Sequence, residues 1–341
     1  MFEVGIIGLG YIGERHLKKF SEVEQVNIAA IADKDSQKLR KYAYMYPAAD
    51  HFVDYTLMCG TKRLDLVVIC LPNYLHTEAC ITALNAGHHV LCEKPLATSV
   101  AAVERMISVA SSNKRVLCVA MNFRWDFFGP DIFSLKRIIE EGGLGTLYYI
   151  RMKYLRRVTF SPSGAHRWNL SKKFSGGGAL IDLGPHMLDL AMWLADNYDP
   201  ISVKGLAYNG LIKYADVDDF ASGFISLGGG IDIQLEVAWS CHNEPLWEIS
   251  LFGEKGGANV SALKPLGDRV KLYSNHDDQP LTLPLEKEVH ATFEGASLQE
   301  HVVSRLNAKR IPDCSADKAL QVMRVIEAWY FSSKSRTERF L

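Results

Sequence analysis

Val4-Gly5-Ile6-Ile7-Gly8-Leu9-Gly10-Tyr11-Ile12-Gly13, with Asp33 twenty residues beyond Gly13, is the stretch that decides how the chain reads. Three glycines at G-x-G-x-x-G spacing also occur in ordinary turns, so the flanking sequence carries the argument. Val4–Ile7 reads as a buried strand and Glu14-Arg15-His16-Leu17-Lys18-Lys19-Phe20 as a helix start. Asn27–Ala32 reads as a second strand that delivers Asp33 at its end. In such a unit Gly8 permits the tight turn, Gly10 lets the backbone approach a pyrophosphate, and Gly13 lets helix pack closely on strand. The helix opened by Tyr11 and Ile12 turns its N-terminus toward the phosphate charge. Asp33 accepts hydrogen bonds from ribose hydroxyls and repels a 2′-phosphate, which favours NAD; Lys34 beside it keeps NADP open.

Outward from this unit, strand and helix alternate as far as residue 123. Leu39, Tyr42 and Ala43 mark a helix near 35–46. Asp65-Leu66-Val67-Val68-Ile69-Cys70-Leu71 is the near-continuous apolar run of a strand covered on both faces. A helix ending at Gly87, a strand His89–Cys92, a helix carrying Val103, Met106, Ile107 and Ala110, and a strand Arg115–Ala120 follow. This alternation predicts a doubly wound parallel α/β sheet over 1–123. Ligands of such sheets bind outside the carboxyl ends of the strands. Asn73, Glu93, Lys94, Pro95, Asn122 and Arg124 all fall there, and Leu71 and Pro72 before Asn73 are further candidates to bind the cofactor.

From 124 to 341 the pattern changes. Ile132–Ile139 reads as a helix, Leu147–Arg157 as a long strand, and Phe220–Leu227 and Ile231–Ser240 as strands joined by three glycines. In the last, apolar Ile231, Ile233, Leu235, Val237 and Trp239 alternate with mostly polar neighbours, the mark of a half-buried antiparallel strand. Helices near 297–308 and 316–333 complete an α+β domain on a mostly antiparallel, open-faced sheet.

Composition narrows the function. The 341 residues are 48% hydrophobic and 23% charged with net charge −1, so neither nucleic acid nor an anionic membrane surface is an expected partner. No apolar run approaches the roughly 18 residues of a spanning helix. The seven cysteines form no C-x-x-C pair and read as reduced thiols, with no metal site expected. With a first strand beginning at the second or third residue, leaving no room for a signal peptide, a cytoplasmic protein is expected.

Three further segments bear on chemistry: Leu71-Pro72-Asn73-Tyr74-Leu75-His76, Cys92-Glu93-Lys94-Pro95-Leu96, and Gly176-Gly177-Gly178-Ala179-Leu180-Ile181-Asp182-Leu183-Gly184-Pro185-His186. With the glycine fingerprint, in this order and spacing, they resemble the Gfo/Idh/MocA oxidoreductases, the family of glucose–fructose oxidoreductase and inositol dehydrogenase. The resemblance spans essentially the whole chain, including Gly253-Glu254-Lys255-Gly256. It implies that Lys94 contacts nicotinamide ribose and substrate, and that Asp182 and His186 sit against the substrate hydroxyl with His186 as base. The bare chemistry agrees: oxidising a secondary alcohol releases a proton, so a group titrating near neutrality must hold it.

Asp182 and His186, four residues apart on a helix, share a face, and Lys94 supplies charge that polarises the oxygen. Each has a plainer reading too: Asp182 as a helix cap, His186 as a core histidine, Lys94 as a solvated turn lysine. Pro185 lacks an N–H, so the helix is expected to be near its first turn there or kinked. His76 either lines the cofactor or only starts a helix. Arg124, Arg167 and Trp168 are candidate linings for a small polyhydroxylated substrate. The reading is an NAD(P)-dependent oxidoreductase acting on a secondary hydroxyl of a sugar, amino sugar, sugar phosphate or cyclitol, assembled by family analogy as a homodimer or homotetramer. The alternatives are an NADPH-dependent keto-sugar reductase and a non-catalytic dinucleotide-binding regulator of the same fold.

Overall fold

The computed structural model describes residues 1–158, 168–274, 277–282 and 296–341. The chain divides into two units, Met1–Ala120 with Glu294–Leu320, and Met121–Phe293 with Gln321–Leu341. This differs from a single cut at 123/124, because the segment carrying the helix Leu298–Asn307 groups with the first unit. The backbone of Cys314 accepts the N–H of Val119 at 2.8 Å, and Ser315 forms an antiparallel bridge with Cys118.

In the first unit, β1 (Phe2–Ile7), α1 (Tyr11–Ser21), β2 (Val26–Ala32), α2 (Ser36–Met45), β3 (Asp50–Phe52), α3 (Tyr55–Thr61), β4 (Leu66–Ile69), α4 (Asn73–Asn85), β5 (His89–Cys92), α5 (Val100–Ser112) and β6 (Leu117–Val119) follow in turn. The strands form one sheet in the order β3-β2-β1-β4-β5-β6, with every neighbouring pair parallel. All four residues of β4 are buried, as its apolar run requires. The chain winds outward from β1 through β2 and β3, then returns to the other side of β1 as β4. That reversal opens a crevice at the carboxyl ends of β1 and β4, where Ile7 pairs with Ile69. The short β3 and α3 escape sequence reading because neither is long enough to show a period.

In the second unit come α6 (Phe123–Asp126), α7 (Pro130–Glu140), β7 (Leu147–Leu155), α8 (Lys172–Ser175), α9 (Ala179–Leu194), β8 (Pro200–Tyr208), β9 (Phe220–Leu227), β10 (Ile231–Ala238), β11 (Leu246–Gly253), β12 (Gly256–Ser261), β13 (Val270–Ser274), β14 (Asp277–Thr282) and β15 (Arg339–Phe340). The helix Ala316–Ser335 enters this unit at Gln321. Among the described residues one nine-stranded sheet runs β14-β13-β12-β11-β7-β10-β9-β8-β15, antiparallel throughout except for the parallel pair β10–β7. Ile233, Leu235 and Val237 point to one face and are fully buried, in keeping with the alternation of β10. α9 packs on β10, β7 and β9. Every residue of α9 except Asp182 is buried. The helix runs on through Pro185, its seventh residue, rather than beginning there.

Candidate active site

In the first unit the glycine loop shows why each glycine is present. Gly8 has φ +91°, and a Cβ there would meet the carbonyl of Cys70 on the neighbouring β4 loop. A Cβ on Gly13 would run into the carbonyl oxygen of Gly8, so this glycine brings helix onto strand. Gly10 is different. Its φ of −73° suits any residue, and a Cβ there meets no atom within 4 Å. The fold does not require a glycine at 10; the open space in front of it has room for a pyrophosphate, and the residues fit a dinucleotide. Tyr11 and Ile12 beside it are exposed, as is Lys34. Asp33 accepts the backbone N–H of Leu9 at 2.7 Å and of Asp35 at 2.8 Å, which holds its carboxylate beside the loop. Lys38 Nζ lies 3.9 Å from the same carboxylate.

Around the carboxyl ends of β4 and β5 the structure corrects two expectations. His76 is fully buried, with Nδ1 2.8 Å from the carbonyl oxygen of Pro95 and Nε2 2.7 Å from that of Leu71. It lies between two loops inside the first unit, and the single N–H of its neutral ring serves one of the two carbonyls. Burial pushes its pKa down, while the two carbonyls pull the other way. Glu93 is also buried, 2.8 Å from Nε2 of His16 on α1, and its second oxygen accepts the Lys94 backbone N–H at 3.1 Å. Burial pushes the Glu93 carboxyl up, but the hydrogen bond from His16, with the charge and backbone N–H of Lys94, outweighs it and holds it below the usual range. Lys94 itself is half-buried, Leu71 and Pro72 likewise, and Asn73 is buried at the start of α4.

In the second unit Asp182 does not cap its helix. That position is served from forty residues away: Asp218 accepts the N–H of Gly178 and of Leu180, both at 2.8 Å, and its backbone carbonyl accepts that of Ala179. Tyr330 donates its hydroxyl to the same carboxylate at 2.8 Å. Burial pushes the Asp218 carboxyl up against these donors. The glycine run follows from this close approach, since a Cβ on Gly178 would overlap the Asp218 backbone and one on Gly177 the Tyr330 hydroxyl.

Freed from capping, Asp182 accepts the indole N–H of Trp239 at 2.7 Å. One turn on, the His186 ring stacks on Phe123 with centroids 3.9 Å apart and planes 7° from parallel. Tyr154 meets Phe123 edge-on at 5.5 Å, and burial pushes its hydroxyl up to about 12. The result is an acid and an imidazole on one helix face, each immobilised by an aromatic partner.

Arg124 is a third correction. Its Nη2 donates to both carboxylate oxygens of Asp189 at 2.8 and 2.7 Å and to Tyr198 at 3.1 Å, and its guanidinium lies 4.9 Å from the ring centre of Trp193. At 1% exposure it is a core ion pair with no surface for a substrate. Asn122 is half-buried and donates to Asp126 at 3.2 Å. Trp168, 38% exposed, opens a short 3-10 turn; Arg167 lies outside the described residues.

Comparison with known proteins agrees with the geometry. Residues 2–121 match the model of an oxidoreductase family with an NAD-binding Rossmann fold, and residues 133–259 match the GFO/IDH/MocA C-terminal domain. The chain belongs to the Gfo/Idh/MocA family. It is an NAD(P)-dependent dehydrogenase by that membership. Among its relatives, the D-glucoside 3-dehydrogenase of Escherichia coli is 26% identical, covering 98% of this chain and 96% of the relative. A scyllo-inositol 2-dehydrogenase (NADP(+)) of Bacillus subtilis is 30% identical over 61% of this chain and 62% of the relative. A levoglucosan dehydrogenase solved with NADH and levoglucosan shares the fold of this Gfo/Idh/MocA member, with TM-score 0.89 at 21% identity and 99% of both chains covered. Among the described residues no helix is long and apolar enough to cross a membrane, and no three His, Cys, Asp or Glu gather as a metal site. All seven cysteines are free.

Sequence reading missed His16, Phe123, Asp218, Trp239, Gln299 and Tyr330. Only His16 carried a local signal, a polar residue on the buried α1 face with Leu17 and Phe20. The others owe their places to partners distant in sequence.

Proposed function

We propose that this chain oxidises a secondary hydroxyl of a sugar or cyclitol, passing a hydride to NAD in preference to NADP. The observation that carries the reading is Asp182, the one residue of α9 that is not buried, anchored to Trp239 and one turn from a buried, stacked His186. An otherwise buried helix that opens only at a carboxylate suits a ligand presenting hydroxyls. The relatives that act on a glucoside and on an inositol support that substrate class.

A bound nicotinamide would supply the hydride acceptor. His186 takes the hydroxyl proton, so it must be neutral for oxidation and the rate rises with pH through a neutral-range pKa. Asp182 orients and balances the imidazolium that results. Lys94 polarises the oxygen as negative charge develops on it. The cofactor would be held by Gly8, Gly10, Gly13 and Asp33, with Tyr11, Ile12, Lys34, Leu71, Pro72, Asn73 and Asn122 around it. Trp168 lines the substrate. The first unit is thus the cofactor domain. The second is the substrate domain, which assembles copies of the chain into a homodimer or homotetramer.

The test is turnover of D-glucose, methyl glucosides, amino sugars, sugar phosphates and inositols with NAD and NADP, followed at 340 nm. His186→Ala, Lys94→Ala and Asp182→Ala are each expected to bind NADH yet lose about 10²–10⁴-fold in kcat, far from additively. A folded, NADH-binding enzyme that turns over none of these, forwards or as the ketone, points to a dinucleotide-binding regulator instead.

A further inference from the structure

Two buried histidines, from different helices, hold the residues on either side of Lys94. His16 on α1 meets the carboxylate of Glu93, the residue before it, and His76 on α4 meets the carbonyl of Pro95, the residue after it, both at 2.8 Å. His16 is 4% exposed and His76 0%, so neither is presented to a ligand. Gln299, from the helix Leu298–Asn307, donates Nε2 to Nδ1 of His16 at 3.1 Å. With Nδ1 accepting, the neutral ring carries its proton on Nε2 and donates it to Glu93. The other Glu93 oxygen takes the Lys94 backbone N–H, so the chain of contacts runs Gln299, His16, Glu93, Lys94 without a break.

We propose that His16 and His76 are positioning residues for Lys94, fixing its backbone from both sides so that its ammonium is delivered to one point. The value of that point rests on the reading of Lys94 as the group that polarises the reacting oxygen; the positioning itself concerns the first unit alone. A lysine side chain has a flexible four-carbon stem, so its reach is only as well defined as its Cα. A displacement of about 1 Å at a reacting centre costs on the order of 10²-fold in rate. Burying two imidazoles, a carboxylate and a carboxamide is costly unless all are partnered, and apolar side chains fill space without that cost. The network also ties the Lys94 loop to α1, the helix that begins at the pyrophosphate loop. Cofactor seating and lysine placement therefore share one rigid element.

The experiment labels the full-length enzyme by reductive ¹³C-methylation and follows the lysine methyl signals by NMR, with the Lys94 signal identified by its loss in Lys94→Arg. In His16→Leu and in His76→Leu the Lys94 signal is expected to shift or broaden while the other lysines stay in place. His16→Gln, whose carboxamide nitrogen still reaches Glu93, is expected to restore it. The same variants are expected to change the NADH dissociation constant less than about threefold and lower kcat roughly ten- to hundredfold on the best polyol found. An unchanged Lys94 signal in folded His16→Leu or His76→Leu overturns the proposal, as does a His16→Gln no better than His16→Leu. Should His16→Leu not fold, Gln299→Leu removes only the contact to Nδ1 and is read the same way. The NMR signal needs no turnover: Lys94→Ala with full activity would remove the role of Lys94 in the reaction while leaving the positioning result standing.

Discussion

Asp182 and Trp239 are joined by a 2.7 Å hydrogen bond from the indole N–H to the carboxylate, across 57 residues of sequence. The bond uses the only polar group of a tryptophan that is 2% exposed, and it aims the one carboxylate that α9 does not bury.

Trp239→Phe keeps the ring and deletes the donor. A hydrogen bond to a charged group contributes about 1.5–3 kcal/mol, and losing it raises the carboxyl pKa because the charged form loses a partner. We expect kcat to fall roughly 10- to 100-fold, the acid limb of the pH–rate profile to move to higher pH, and NADH affinity to stay unchanged. A profile superposable on that of wild type would show that Trp239 does not set Asp182.

The glycine loop separates a ligand requirement from a folding requirement. Gly10→Val is expected to fold with near-native stability, since its φ is ordinary and its Cβ meets nothing, yet to lose NADH binding. Gly13→Ala drives a methyl into the Gly8 carbonyl, and overpacking of that kind costs about 1–3 kcal/mol or more. Urea unfolding together with NADH fluorescence titration distinguishes the two. NADH bound normally by Gly10→Val would remove that residue from the cofactor site.

Asp33 is held at the loop by two backbone N–H groups, so its charge stands where an adenosine ribose is expected. Calorimetric titration should give tighter binding of NADH than NADPH, and Asp33→Ser should narrow or reverse the gap. Lys38, 3.9 Å from the carboxylate, joins Lys34 as a candidate partner for a 2′-phosphate once the acid is gone. NADPH bound by the wild type at least as tightly as NADH would overturn the preference.

Arg124 offers a test of core against substrate roles. Arg124→Met leaves Asp189 charged and buried, and breaking such a pair costs about 3–5 kcal/mol. Arg124→Met with Asp189→Leu should recover much of that loss, because no uncompensated charge remains. A substrate-lining arginine would behave differently, raising KM with little change in the unfolding midpoint.

Glu93 gives stability a pH dependence. Its folded-state pKa is held below the usual carboxylate range by His16 and Lys94, so the carboxylate stabilises the fold above the unfolded-state pKa. That contribution is lost as pH falls through the folded-state value. Glu93→Gln should therefore be less stable than wild type near neutrality and lose less stability between about pH 5 and 3. Parallel urea titrations across that range check the sign; parallel curves would mean that Glu93 is not held ionised by His16.

Much of this was legible in the chain itself. Five of the six parallel strands, the glycine loop and the helical segment bearing Asp182 and His186 all follow from signals written within a few residues of one another. Glycine where a Cβ will not fit, an unbroken apolar run where both faces are covered, and alternation where one face is wet are local demands. A sequence satisfies them locally. His76, Glu93 and Arg124 are buried for a reason the sequence does not carry: strand-end position places a residue near a ligand, but does not say whether its side chain turns outward or into the core.

What only the tertiary structure decided is which polar groups meet. His16 and Glu93 are 77 residues apart, Asp218 and Gly178 are 40, and Gln299 and His16 are 283. No periodicity or spacing encodes such pairs, because a buried hydrogen bond is specified by the convergence of whole elements. The sequence by itself determined that a dinucleotide fold with a lysine, an aspartate and a histidine would form. The packed chain decided that the aspartate answers to a tryptophan, the helix start to a distant acid, and the residues flanking the lysine to two histidines: Trp239, Asp218, His16 and His76 are withdrawn from water, and a buried polar group must find its partner wherever the fold brings one.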